Sequence, residues 1–141
     1  MKRAAAAILG AGAIFALAGC GTGDVVAHGD TTHGKTLFQQ KCQACHTLAA
    51  ANATGTVGPN LDTAFAFVRD AKNPGDRFCE VTIANVVRDQ IRFPSQNNIE
   101  PAYIMPANLV TGQDADDVAQ YVASVAGIPP GSKAPKQSDK C

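Results

Sequence analysis

The chain has 141 residues, a length that predicts one domain with a modest hydrophobic core. Twelve Lys and Arg residues balance twelve Asp and Glu residues, and removing the leader described below, with its two basic residues, leaves a net charge of −2. This balance argues against nucleic acid as a partner. Aromatic residues make up 6% of the chain and tryptophan is absent, which is a thin supply for a core of this size.

Residues 1–19 have the layout of a secretory signal peptide. Two basic residues precede an apolar, alanine-rich run that is shorter than the roughly twenty residues a spanning helix needs. The run ends in Leu17-Ala18-Gly19-Cys20, which resembles a bacterial lipobox. That resemblance implies cleavage before Cys20, lipid on its thiol, and export to the outer face of the cytoplasmic membrane. An ordinary signal peptide followed by an incidental cysteine is the alternative.

Residues 20–29 are small and polar and lack helical periodicity, which predicts a flexible linker ahead of a domain over residues 30–127. Asp30 is placed to cap a helix that runs into residue 42. Gly34 and Phe38 share one face of that helix. A glycine inside a helix costs about 1 kcal/mol relative to alanine, so Gly34 suggests that another backbone passes close by.

The helix leads into Cys42-Gln43-Ala44-Cys45-His46, a C-x-x-C-H run typical of c-type haem attachment. Two thiols three positions apart share one side of a helical turn, where each can add to one vinyl group of a haem. A zinc site would need two more Cys or His ligands at matching spacing, and a thioredoxin-like pair would need a βαβ setting. We therefore predict one haem c, bound covalently by Cys42 and Cys45, with His46 as the proximal iron ligand.

The chain then alternates turns and helices. Residues 48–57 indicate a surface loop, and Gly58-Pro59-Asn60-Leu61 alone would indicate only a turn. A short helix is predicted over Asp62–Lys72. Another begins near Cys79 and stops at Phe93-Pro94. Its apolar stripe consists of Ile83, Val86, Val87 and Ile91.

Cys79 and Cys141 remain once the leader and the haem motif are set aside. In an oxidising compartment they could pair and tie down the polar tail, residues 128–141. On the chain-entropy model such a disulfide would stabilise the fold by roughly 4 kcal/mol. The alternative is a buried Cys79 and a free thiol at Cys141.

Met105 is the single methionine after the initiator, and therefore the one thioether available as a second iron ligand. Pro106 follows it and restricts the local backbone. A core-filling methionine is the alternative. His28 and His33 are further candidate ligands, although exposed polar histidines are expected there. Tyr103 is placed either to donate to a haem propionate or to pack on the surface.

Thr111 is predicted to cap the last helix, with Asp114 near the capping-box position, and Gly127 with the prolines after it ends the helix. Its predicted buried face consists of Ala115, Val118, Ala119, Val122, Val125 and Ala126.

From Asp30 to Gly127, the order helix, C-x-x-C-H turn, Gly-Pro-x-Leu, methionine and helix resembles class I cytochrome c. The resemblance implies an all-α fold of four to five helices wrapped around one haem c. It also implies that the first and last helices cross tightly, with Gly34 and Phe38 against Tyr121. An extra cysteine and the lack of tryptophan depart from many relatives, so the propionate partners stay open.

The same resemblance assigns roles around the iron. It implies that the Pro59 carbonyl accepts the Nδ1 proton of His46, which leaves Nε2 for the iron. Leu61 would then pack on the ring, and Met105 would be the distal iron ligand.

Iron held by His46 and Met105 has no open position for a substrate, so electron transfer, rather than an enzymatic reaction, is expected. We predict a membrane-anchored, monomeric carrier of single electrons that docks weakly and transiently with respiratory partners, such as a quinol-cytochrome c reductase and a terminal oxidase. One alternative is an electron-entry subunit of a larger oxidoreductase. Another is a haem-based gas or redox sensor, in which Met105 would leave the iron easily.

Overall fold

The computed structural model describes residues 25–26, 28–69, 80–95, 105–129 and 131–132. Over these residues the predicted all-α fold is confirmed, with one very short strand pair in addition. The elements are α1 (Thr31–Lys41), β1 (Thr47–Leu48), β2 (Ala53–Thr54), α2 (Leu61–Arg69), α3 (Glu80–Arg92) and α4 (Gln113–Val125). No helix among the described residues is both long enough and apolar enough to cross a membrane.

Several predicted features lie outside the described residues. They are the leader, the lipid site at Cys20, the disulfide between Cys79 and Cys141, and the propionate role of Tyr103. Each of them stays a prediction.

Helices α1 and α4 cross in close contact, as expected from the glycine in α1. The Asp30 carboxylate caps α1 and accepts hydrogen bonds from the amides of Thr32 and His33. A Cβ on Gly34 would lie 2.0 Å from the Asp117 carbonyl oxygen, so only glycine lets the two backbones meet. The Phe38 and Tyr121 rings pack edge to face beside this point, with centroids 6.0 Å apart.

A charged pair also joins these two helices, and the sequence pattern did not reveal it. Asp117 is only 3% exposed, and its Oδ2 lies 2.8 Å from His33 Nδ1. Its Oδ1 accepts hydrogen bonds from the Asp30 amide at 2.9 Å and from the Gln113 side chain at 2.8 Å. All of these groups lie at the helix crossing, so His33 supports the packing of α1 on α4.

This pairing shifts both titrating groups. The hydrogen bond that His33 donates to the Asp117 carboxylate raises the pKa of His33. Burial of the Asp117 carboxyl opposes its ionisation, but the hydrogen bonds from His33, Gln113 and the Asp30 amide outweigh burial and lower its pKa.

The start of α4 differs from the prediction. Thr111 does not cap the helix; the cap position is Gly112, with φ +56° and no side-chain hydrogen bond. That left-handed conformation suits a residue without a Cβ, which explains the glycine. The predicted buried face of α4 is correct except that Val125 is only half-buried.

Helix α2 packs against the end of α4. The Arg69 guanidinium donates to the carbonyls of Ala123 and Ala126 in the last turn of α4, where a cation is favourable. Burial lowers the pKa of Arg69, and Glu80 opposes that shift. The observed helix begins one residue before the predicted Asp62–Lys72 and is described as far as Arg69.

The predicted loop over residues 48–57 is instead largely ordered as a hairpin. Thr47 pairs with Thr54 and Leu48 with Ala53, across a 3₁₀ turn at Ala49–Ala51. Leu48 is fully buried and Ala51 and Ala53 are buried beside it, so this segment contributes to the core although its other residues lie mostly on the surface.

The predicted linker over residues 20–29 contains one docked side chain within its described part. Val26 is 2% exposed and packs in a small apolar cluster with residues of α3 and α4. Burying a valine side chain contributes about 1.5–3 kcal/mol, which holds this segment on the domain. The other members of the cluster are Ile83, Ala84, Ala119 and Ala123.

Candidate functional site

One large cavity brings together the residues predicted to bind haem. Its volume is about 420 Å³, within the range of about 300–1,000 Å³ that is usual for cofactor and ligand sites. Cys42, Cys45, His46 and Met105 all line it. All four helices contribute to its wall, which is mostly apolar. Such a wall excludes water from a bound group.

The two cysteines sit on a turn that continues α1. The Cys42 amide donates to Phe38, and the amides of Cys45 and His46 both donate to the Cys42 carbonyl, at 3.1 and 3.0 Å. Cys42 is buried and Cys45 is exposed, so one thiol lies deep in the wall and the other at the edge. Burial, with a smaller effect of Cys45, raises the pKa of Cys42 to about 11, which keeps it a neutral thiol.

His46 is held in one orientation by the segment after the hairpin. Its Nδ1 lies 2.9 Å from the Pro59 carbonyl oxygen, which can only accept, so the Nδ1 nitrogen carries the proton. Nε2 is then the nitrogen free to bind a metal, as the resemblance implied. A Cβ on Gly58 would lie 2.5 Å from His46 Cε1, so the ring packs directly on this glycine.

A second glycine, Gly55, lies directly against the backbone of the cysteine turn. A Cβ on Gly55 would lie 2.6 Å from the carbonyl carbon of Cys45 and 2.6 Å from the Gln43 oxygen. The sequence predicts a loop at Gly55, whereas the family resemblance places the segment that begins with Gly58 beside His46. Only the fold shows that Gly55 meets the backbone of the C-x-x-C-H run.

Met105 is half-buried and packs against the main apolar cluster. Leu61, at the start of α2, lines the same cavity, as does Pro59. By contrast, His28 and His33 do not line it. The structure therefore brings Met105 into the site with His46 and leaves out the two histidines considered as alternatives.

The cavity wall also includes polar side chains that sequence reasoning missed. They are Lys41 at the end of α1, Gln90 on α3, and Ser95 just after α3. The Gln90 Oε1 accepts a hydrogen bond from the Ser95 amide at 3.2 Å. No spacing rule pointed to these positions, because each depends on how α1 or α3 lies against the cavity.

The donor set fits haem c. Two thiols, one imidazole with a fixed tautomer and one thioether, all in a single apolar cavity, match the covalent and axial bonds that this group requires. Zinc fits less well, because a structural zinc site uses four Cys or His ligands and the thioether of methionine is a soft, weak donor.

Comparison with known proteins agrees with this chemistry. The family model described as cytochrome c matches residues 31–126. The chain is also similar to the c-type cytochrome SorU from Sinorhizobium meliloti, with 34% identity over 69% of this chain and 91% of that one, at a TM-score of 0.46. No curated protein sequence matches significantly. On the extent of the family match, the chain belongs to the cytochrome c family and is an electron-carrying protein with covalently bound haem c.

Proposed function

We propose that the protein is a membrane-anchored carrier of single electrons between respiratory-chain redox partners and that it catalyses no reaction of its own. The observation that carries this proposal is the presence of His46 and Met105 in the wall of one cavity. Two axial ligands would occupy both free positions of the iron, so no substrate or gas could bind.

The proposed roles of the chain's own residues follow from the geometry. Cys42 and Cys45 would hold the porphyrin edge by thioether bonds, and the fixed tautomer of His46 would present Nε2 to the iron. Bound haem supplies a one-electron change between ferric and ferrous iron. Met105 would donate its thioether to the iron, and together with the apolar wall it would favour the ferrous state and raise the reduction potential relative to two nitrogen ligands.

Partner docking is proposed at the rim of the cavity. Val57 is 47% exposed, Val86 38% and Leu109 36%, and all three line the cavity, so each reaches from its wall to the protein surface. A small apolar rim on a protein of near-zero net charge favours short-lived complexes with modest dependence on salt. A quinol-cytochrome c reductase as donor and a terminal oxidase as acceptor are the proposed partners.

The anchor is proposed at Cys20, from the lipobox-like sequence. Two or three acyl chains would give stable attachment, because each buried methylene contributes about 0.8 kcal/mol. Intact mass measurement of the protein extracted from membranes tests this directly. A mature chain that begins at Cys20 and carries diacylglycerol is expected; a chain without lipid would refute the anchor but leave the electron-transfer proposal standing.

The iron ligand is tested by replacing Met105 in the haem-loaded protein. In Met105→His the reduction potential should fall by on the order of 0.1–0.3 V, a fraction of the about 0.8 V over which axial ligands act. Leu109→Ala is the matched control, since Leu109 lines the same cavity but has no donor atom. An unchanged potential in Met105→His would show that Met105 does not bind the iron.

Carbon monoxide separates a carrier from a sensor. The reduced wild-type protein and Leu109→Ala should not bind it at neutral pH, whereas Met105→Ala should, because one iron position is then open. Ready binding by the wild type would refute the carrier and favour the sensor. Co-purification with a catalytic partner in a fixed ratio would favour the electron-entry subunit instead.

A further inference from the structure

The segment just before α1 is attached to the domain at two points. The Val26 side chain is buried among residues of α3 and α4, and its amide donates to Asn85 Oδ1 at 2.9 Å. Asn85 is itself held, because its Nδ2 donates to the Val81 carbonyl at 2.8 Å. The second point is Asp30, whose amide donates to Asp117. We call Val25, Val26 and His28–Asp30 the N-terminal clip.

Between these two points the clip stays close to α4. A Cβ on Gly29 would lie 2.7 Å from Gln120 Cβ and 2.8 Å from the Asp116 carbonyl oxygen. Only a glycine allows the chain to run this near the helix. The clip therefore packs on the surface of the domain.

The clip and the haem cavity use different faces of α4. Val118 and Val122 line the cavity, whereas Ala119 and Ala123 pack in the cluster of Val26. Successive residues are about 100° apart around a helix, so the two faces are distinct. Neither Val26 nor Asn85 lines the cavity. The described chain thus begins beside α3 and α4, at residues that do not line the cavity.

Docking of the clip limits how far the domain can move from residue 20. A chain spans at most about 3.6 Å per residue, so the six residues from Cys20 to the docked Val26 span at most roughly 22 Å. If the chain were free as far as Asp30, the same limit would be roughly 36 Å. Packing of Val26 therefore shortens the maximum length of the tether by roughly 14 Å.

We propose that the N-terminal clip acts as a spacer that keeps the cavity within a restricted distance of the membrane. This inference rests on the proposed lipid at Cys20. It narrows the partner class to redox proteins that are themselves in the membrane and exchange electrons close to its surface. A domain of about 100 residues has a radius of gyration near 13 Å. A redox partner whose docking site lies much further from the membrane surface than one domain diameter would therefore be out of reach of the cavity.

The tether is tested with the lipidated, haem-loaded protein in vesicles of phosphatidylcholine and phosphatidylglycerol. Energy transfer from a fluorescent lipid headgroup to haem reports their separation. Inserting about ten Gly and Ser residues between Asp24 and Val25 should lower the energy transfer, because a longer tether lets the haem move further from the lipid headgroups. Val26→Asp should shift transfer in the same direction as the insertion. Val25→Asp is the matched control, since Val25 is 62% exposed, and should behave as wild type.

Docking itself is tested without lipid, in the haem-loaded Cys20→Ala protein. The buried side chain and the hydrogen bond to Asn85 should slow exchange of the Val26 amide by on the order of 10- to 100-fold relative to an unstructured peptide. This measurement requires no substitution in the clip, so it can be made even if Val26→Asp does not fold.

The outcomes are separable. Free exchange of the Val26 amide would overturn the docked clip. Slow exchange, combined with wild-type energy transfer in both Val26→Asp and the insertion, would overturn the spacer role. A chain lacking lipid on Cys20 would refute the anchor and with it the spacer, while slow exchange would still show the docked clip.

Discussion

Replacing Gly34 by alanine probes the contact on which the crossing of α1 and α4 depends. A Cβ at this position would lie 2.0 Å from the Asp117 oxygen, 2.5 Å from the Asp117 carbonyl carbon and 2.9 Å from Tyr121 Cβ. Ordinary contact begins near 3.4 Å, so the helices would have to separate by up to 1.4 Å, the difference between 3.4 and 2.0. The nearest obstacle is backbone, which cannot rotate away.

The expected change in the free energy of unfolding of Gly34→Ala is the balance of opposing effects. Overpacking costs about 1–3 kcal/mol. Separation also weakens the hydrogen bond from the Asp30 amide to Asp117, worth about 0.5–1.5 kcal/mol, and the contact of Phe38 with Tyr121, worth a similar amount. Higher helix propensity of alanine returns about 1 kcal/mol. We expect a net loss of about 2–4 kcal/mol in the free energy of unfolding.

Guanidinium unfolding of the haem-loaded protein, followed by far-UV circular dichroism, measures this loss. Lys35→Ala is the matched control: it adds the same residue one position along, on the exposed side of α1, and should change stability by less than about 0.5 kcal/mol. If Gly34→Ala were as stable as wild type or more so, helix propensity would dominate and the close crossing would be refuted.

Two further predictions concern single contacts. His33 has a raised pKa in the folded protein, so its stabilising effect should be complete below its ordinary pKa of 6.5 and lost as the pH rises through the folded value. The stability difference between wild type and His33→Ala, measured by unfolding from pH 5.5 to 8.5, should therefore shrink as pH rises; a constant difference, or a similar one in exposed His28→Ala, would contradict this. Gly58→Ala would place a Cβ 2.5 Å from His46 Cε1, so the ring should tilt and the visible spectrum and reduction potential of the haem-loaded protein should change. Exposed Val57→Ala should leave both as in wild type, and an unaltered spectrum in Gly58→Ala would show that the ring has room to move.

The sequence alone was sufficient to predict those features of the protein that depend on residues close together along the chain. The C-x-x-C-H run places two thiols and an imidazole within one turn, whatever surrounds it. Helical periodicity predicted the buried face of α4, and the glycine at position 34 predicted a close backbone. The family pattern then pointed to Pro59, whose carbonyl does lie beside His46 Nδ1.

Tertiary structure decided the features in which residues far apart in sequence meet. Nothing in the sequence distinguishes Asp117 from the other acidic residues of α4, but the crossing buries it against His33 and the Asp30 amide. Residues 20–29 have the composition of a linker, yet Val26 finds an apolar cluster made by two helices that begin more than fifty residues later. Composition describes what a segment can do alone, whereas burial depends on the surface it meets. The order of chemical groups around the haem site was therefore readable from the sequence, and the attachment of the N-terminal clip was not.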